Sequence, residues 1–218
     1  MTVNYVVEMA KLGELKGIAV ANKDESILSY LNLGMIELYK RFQLATSEVV
    51  LTMGKDGTEV GEDYTKISDT IYKLPSNCMS ITAAYDEIEK DEVGVIDNVI
   101  PINDESNPLS IMMVGYNTIQ IPIATAGAHI SIIYQANPTV VTIADYNGDV
   151  ELELPSTLLE ALLMYIGYRA HGVVKGKDSA DTASHRKEFE ASCGRANLLG
   201  LVVTEDYTSK DVSKKGFI

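Results

Sequence analysis

Tryptophan is absent from this chain of 218 residues, and phenylalanine (3), histidine (3), cysteine (2) and proline (6) are scarce. Cys78 and Cys193 fall in different kinds of segment, with no second ligand at metal spacing beside either. A disulfide framework and a cysteine metal site are therefore excluded, and the reading is of two reduced thiols in a cytosolic protein. No long apolar run exists. The most hydrophobic helix-like stretch, Leu158 to Val174, is broken by Glu160, Arg169 and His171, short of the roughly 20 apolar residues that span a bilayer. Met1-Thr-Val-Asn-Tyr-Val-Val-Glu8 has neither a basic n-region nor a small-residue cleavage site, so no secretory signal is expected.

Catalytic patterns are also missing: there is no G-x-S-x-G elbow, P-loop, G-x-G-x-x-G, H-E-x-x-H or paired C-x-x-C. No catalytic, cofactor-binding or metal residue is assigned, and the expectation is of a protein that is not an enzyme and needs no cofactor. Of the histidines, only His171 and His185 are placed to meet, across two consecutive helices; packed, hydrogen-bonded rings are the ordinary outcome there. Asp145-Tyr-Asn-Gly-Asp-Val-Glu151 is rich in oxygen ligands but lacks EF-hand spacing, so a connecting turn is expected over a calcium loop.

Positive charge is the other shortage. The net charge is -13 and the pI near 4.6, the wrong sign for a protein that grips nucleic acid through its phosphates. The imbalance is local: residues 43–154 hold 18 acids against 4 lysines, and the flanks hold the other 13 acids and 14 bases. Within that interval, residues 86–105 carry eight acids and one base, read as a solvated loop between strands before a cation or basic-partner site. Tyr116, Tyr134 and Tyr146 stand there without basic neighbours, which suits packing better than base stacking. The adjacent Met112 and Met113 suit core filling or an adaptable interface.

What remains is a change of period. Val3, Val6, Val7, Ala10 and Leu15 predict a short helix ending near Gly17, and Ile27, Leu31, Met35, Leu38 and Phe42 predict a longer one capped by Asp24. Strand-like runs follow at Glu48–Met53, Thr70–Leu74, Met79–Tyr85, Val95–Ile102, Thr118–Pro122 and His129–Gln135, with the last two expected to form a hairpin through Gly127. Helical periodicity returns from Pro155 through Leu158, Leu159, Leu162, Leu163, Ile166, Ala170 and Val173. A second helix, capped by Asp178 or Ser179 and stopped at Gly200, has the stripe Thr182, His185, Phe189, Ser192 or Cys193, Ala196 and Leu199. The short loop predicts an antiparallel hairpin.

The expected fold is thus α+β: a small bundle of three to four helices with an antiparallel β subdomain inserted between the second and third. Residues 1–42 form the N-terminal helices, 43–154 the acidic β insertion, 155–203 the C-terminal helical hairpin and 204–218 a tail ending Lys214-Lys-Gly-Phe-Ile218.

Several segments, in order, resemble the head-to-tail adaptor proteins of short-tailed bacteriophages, also called connector, gateway or tail tubular A proteins. They are Ile27-Leu-Ser-Tyr-Leu-Asn-Leu-Gly-Met-Ile-Glu-Leu-Tyr-Lys-Arg-Phe42, Tyr72-Lys-Leu-Pro-Ser-Asn-Cys78 leading to Ala84-Tyr-Asp86, and Ile102-Asn-Asp-Glu-Ser-Asn-Pro-Leu109. Tyr116-Asn-Thr-Ile-Gln-Ile-Pro122, Tyr134-Gln-Ala-Asn-Pro138 and the run from Leu154-Pro-Ser-Thr to Tyr168-Arg-Ala-His171 continue the series. The resemblance implies a structural virion protein: a ring, expected to hold twelve copies, joining the capsid portal to a distal tail or nozzle protein. DNA would pass through its lumen without specific binding. Its place would be the virion neck or tail, after assembly in the host cytoplasm. The chain lacks the Trp before the second helix and the more basic last helix expected of such relatives. The other reading of the acidic insertion is a calcium- or carbohydrate-binding module.

Overall fold

The computed structural model describes residues 1–54, 64–87, 98–122 and 128–200. It divides into two compact units, Met1–Leu44 with Pro138–Ile218, and Ala45–Asn137. Residues 138–154, grouped with the acidic insertion on charge, count with the helices. They make their hydrogen bonds there: Val3 N–H donates to the Val150 carbonyl at 2.9 Å, and Leu152 N–H to the Met1 carbonyl at 2.8 Å. Charge marks a surface, whereas unit membership follows backbone pairing.

In the helical unit, α1 (Val3–Leu12) buries Val3, Val6, Val7 and Ala10, and Leu15 just beyond it is also buried. The N-cap is Thr2, whose Oγ1 accepts from Tyr5 N–H. α2 (Asp24–Arg41) buries its expected stripe, with Phe42 sealing the end. Asp24 and Glu25 at its start and Lys40 and Arg41 at its end complement the helix dipole. Asp24 is the first helical residue, and the preceding Lys23 gives no side-chain cap. α3 (Ile143–Asn147) was not expected; a capping box between Thr142 and Asp145 defines it.

Pro155 precedes a single 3-10 turn, Ser156–Leu158, which leads into α4 (Leu159–Val174). α5 (Ala180–Leu198) starts at Ser179, whose Oγ accepts from Thr182 N–H, and Gly200 follows it at φ +61. Ring pairs Tyr165–Phe189 and His171–His185 run in opposite sequence directions, so α4 and α5 are antiparallel as expected. Val173 and Leu199, assigned to buried stripes, are instead 69% exposed. Val173 stands in the last turn of α4 and Leu199 is the C-cap of α5.

The second unit holds two antiparallel four-stranded sheets sharing one core. One has the order β1 (Thr46–Thr52), β8 (His129–Ala136), β4 (Cys78–Glu87), β5 (Asn98–Val99). The other has β2 (Thr65–Lys66), β3 (Ile71–Lys73), β7 (Thr118–Gln120), β6 (Met112–Gly115). Leu51, Ile132 and Ala84 from the first sheet and Tyr72 and Ile119 from the second are fully buried in that core.

The expected hairpin of β7 with β8 does not form, because the two strands belong to different sheets. β7 instead turns back on β6 through Tyr116 and Asn117, the latter at φ 48, a left-handed conformation asparagine tolerates. That two-residue connection is the shorter closure. The short strands β2 and β6 were not expected, and of the candidate Val95–Ile102, residues 95–97 lie outside the described residues.

Candidate functional site

The chemistry-bearing side chains of the helical unit meet around α4 and α5. His171 and His185 stack with centroids 4.6 Å apart and planes 24° apart. His185 Nδ1 lies 2.8 Å from the Asp181 carbonyl and its Nε2 2.7 Å from Glu14 Oε2, so the ring is held at each nitrogen. His171 Nε2 donates to the Glu14 carbonyl at 3.0 Å. Its buried Nδ1 has no hydrogen-bond partner and lies 3.9 Å from Asp181 Oδ2, which Lys175 holds at 2.5 Å. The expected meeting of the two histidines therefore occurs. It clasps the segment after α1 to the α4–α5 hairpin, and among the described residues no group of three or more His, Cys, Asp or Glu could hold a metal ion.

A second lock joins α2 to α5. Arg41 makes a bidentate pair with Glu190 at 2.5 and 3.0 Å, bonds Glu37 at 3.1 Å, and lies 4.6 Å over the Phe189 ring. The Arg41 hydrogen bond holds the Glu190 carboxyl below its ordinary range. Hydrogen bonds from Lys11 and then Tyr146 do the same for Glu8. Burial works against the charge of Lys11, yet bonds to Asp24, Glu8 and Tyr146 overcome it and raise its pKa.

The sign of the pH effect follows. A carboxylate whose folded pKa is depressed stabilises fully above its unfolded value, here the ordinary 4.5, and loses that contribution as pH falls through the folded value. The melting temperature is expected to hold from neutral pH to about 5 and to fall below it. Thermal scans of Arg41→Gln against the parent check this: the variant should show the smaller acid-induced fall.

Other residues are engaged otherwise. The Asp145 carboxylate accepts from Thr142 N–H at 2.7 Å and Thr142 Oγ1 at 2.6 Å, so it is spent on capping α3. Those bonds lower its pKa. Cys78 and Cys193 are buried free thiols, and burial pushes each up to about 11. Tyr134 is buried and bonds Asn77, Tyr146 bonds Glu8 at 2.8 Å, and Tyr116 is 78% exposed at the β6–β7 turn. Met112 is half-buried and Met113 exposed on β6. Of the acidic run 86–105, residues 88–97 lie outside the described residues, as does the tail with Lys210, Lys214, Lys215, Phe217 and Ile218.

Sequence reasoning missed one surface. An open depression of about 570 Å³ beside α4 and α5 is lined by Tyr168, Lys177, Asp178, Thr182, Ala183, Arg186, Lys187 and Glu190. Its basic side chains come from positions that follow no apolar period, and only the folded hairpin brings them together. Exposed apolar side chains occur on both units, among them Tyr5 and Leu12 on α1 and Val114 and Tyr116 at the β6–β7 turn. No described helix is long and apolar enough to cross a membrane.

The helical unit is thus tied within itself by two polar clasps, one through His171, His185 and Glu14 and one through Arg41 and Glu190. A family profile described as SU10 adaptor protein matches residues 10–210, which takes in both units. The chain belongs to the SU10 adaptor protein family. The resemblance to phage head-to-tail adaptors is thereby upheld, and the adaptor is a structural protein of bacteriophage. Comparison with curated proteins finds no match.

Proposed function

We propose that the adaptor is a portal-to-tail subunit that forms a ring of twelve copies, joins the capsid portal to the distal tail or nozzle protein, and lines the channel through which DNA is ejected. The observation that carries this is the family match across 10–210, spanning helical frame and β unit alike. Assembly takes place in the host cytoplasm and the finished ring sits in the virion neck. The frame helices supply lateral packing, and the tail after Thr204 clasps a neighbouring subunit or the portal.

The β unit would bear on the channel electrostatically. Residues 45–137 carry 14 acids against 4 lysines, and like charge within the screening length of about 10 Å keeps phosphates from adhering as DNA slides past. Cryo-microscopy of the virion neck tests both parts. The expected map shows the adaptor seated on the portal with the β-unit carboxylates facing the lumen. Carboxylates turned away from the channel would end the lubricant role, and a neck without this chain would end the adaptor role. Among the described residues no observation favours the calcium or carbohydrate reading, since Asp145 is committed to its helix cap.

A further inference from the structure

We infer that the basic depression beside α4 and α5 is the receptor for the acidic run 86–105 of a neighbouring copy, a head-to-tail contact between identical chains. The inference rests on the ring reading and names the surface that would close the ring. A ring built by rotation needs two different patches, one on each flank of the subunit. The charge of each unit disfavours pairing through two β units. With 14 acids and 4 bases in residues 45–137, and 17 acids and 14 bases in the rest, contact between two β units opposes like charges. Contact between a β unit of net -10 and a helical unit of net -3 opposes them less, and a local basic patch on the helical unit can make it attractive.

The place on the helical unit is a depression where three cations without an ion pair converge. Lys11, Arg41, Lys175 and Arg195 are held in ion pairs with Asp24, Glu190, Asp181 and Glu160. Lys177, Arg186 and Lys187 have no ion pair within 4.0 Å among the described residues, and all three line one depression with Tyr168. Of the two carboxylates there, Glu190 is bonded by Arg41 and also feels the charge of Arg186, and Asp178 is the other, so the three cations outnumber the acids of the lining. A segment with carboxylates at short intervals fits such a basin, with guanidinium and ammonium groups meeting the acids and the Tyr168 ring available to an apolar residue. Residues 86–105 are such a segment: Asp86, Glu87, Glu89, Asp91 and Glu92 come within seven positions, with Ile88 among them and Val93 next after. DNA is the weaker fit, because the chain's net charge of -13 repels phosphate and Asp178 and Glu188 interrupt the basic surface.

The test is a charge swap read by sedimentation of the full chain, with and without the portal protein of the same genome. Arg186→Glu with Lys187→Glu should weaken self-association about tenfold or more. Lys177→Glu, which lies outside both helices, should do so with the fold intact by circular dichroism. Glu89→Lys with Asp91→Lys should weaken it likewise, and combining the acidic-run and Arg186/Lys187 reversals should recover association to within about threefold of the parent. Variants that assemble like the parent would overturn the inference while leaving the adaptor reading standing, as would loss without recovery in the swap. Binding of a DNA duplex by the parent that Lys177→Glu abolishes, with assembly unchanged, would assign the depression to nucleic acid and overturn it too. Failure of the parent itself to bind the portal would count against the adaptor reading, whatever the swap does.

Discussion

Leu31→Ala is expected to destabilise the adaptor by about 2 to 5 kcal/mol, the usual cost of emptying a filled leucine site. Leu31 is fully buried at the centre of the α2 stripe, between Ile27 and Met35, both also buried. The loss combines the transfer free energy of the removed methyl groups with the cavity that α2 and its neighbours cannot wholly collapse. Against a total stability of about 5 to 15 kcal/mol, this brings the helical unit close to unfolding. Leu33, two positions along the same helix and 39% exposed, is the control. Leu33→Ala should cost well under about 1 kcal/mol, because surface changes away from special features rarely exceed about 0.5. Urea titrations followed by circular dichroism at 222 nm, the helix band, compare the two; equal losses would show that α2 does not bury the face described.

The second large effect concerns a glycine. A Cβ built on Gly167 in α4 would lie 2.4 Å from His185 Cδ2, 2.8 Å from its Nε2 and 3.2 Å from Glu14 Cβ. The imidazole is rigid and fixed at both nitrogens, so it cannot step aside without losing the Glu14 bond and the stack on His171. Gly167→Ala is therefore expected to destabilise by about 2 to 4 kcal/mol, from overpacking of about 1 to 3 together with the broken charge-assisted bond. The gain of about 1 kcal/mol from placing alanine in a helix offsets only part of this. The sign should reverse once the ring is removed. In a His185→Ala background, Gly167→Ala should be neutral or stabilising by up to about 1 kcal/mol. A double-mutant cycle by thermal melting measures the coupling, and a strictly additive result would mean that the close approach does not exist.

These two sites also show what was legible beforehand. Leu31 belongs to a stripe that a 3.6-residue period exposes directly, and the same holds for Val3 to Ala10 and for Thr182 to Ala196. Gly167 carries no such signal: it reads as a weak position inside a helix until His185, on the next helix, and Glu14, far along the chain, are seen against it. The meeting of His171 with His185 was foreseeable because two helices with a short loop must run antiparallel. The partnership with Glu14 was not.

In the β unit, strand positions followed from β-branched runs bounded by turn residues, but pairing did not. β7 and β8 are neighbours in sequence and members of different sheets, since the choice between a local turn at Tyr116–Asn117 and a loop through Gly127 depends on which partner buries Ile119 beside Tyr72. The depression formed by Lys177, Arg186 and Lys187 was hidden for a related reason. Charged residues obey no period, and their convergence is a property of the α4–α5 hairpin.

The measurement closest to the central claim is the native mass of the adaptor, alone and after mixing with the portal protein of the same genome. The account predicts a complex in which many copies of the 23.8 kDa chain add to each portal ring as a closed set, twelve in number if the ring is as proposed. A chain that shows no higher mass in either condition would contradict it, and with it the reading of these surfaces as parts of a ring.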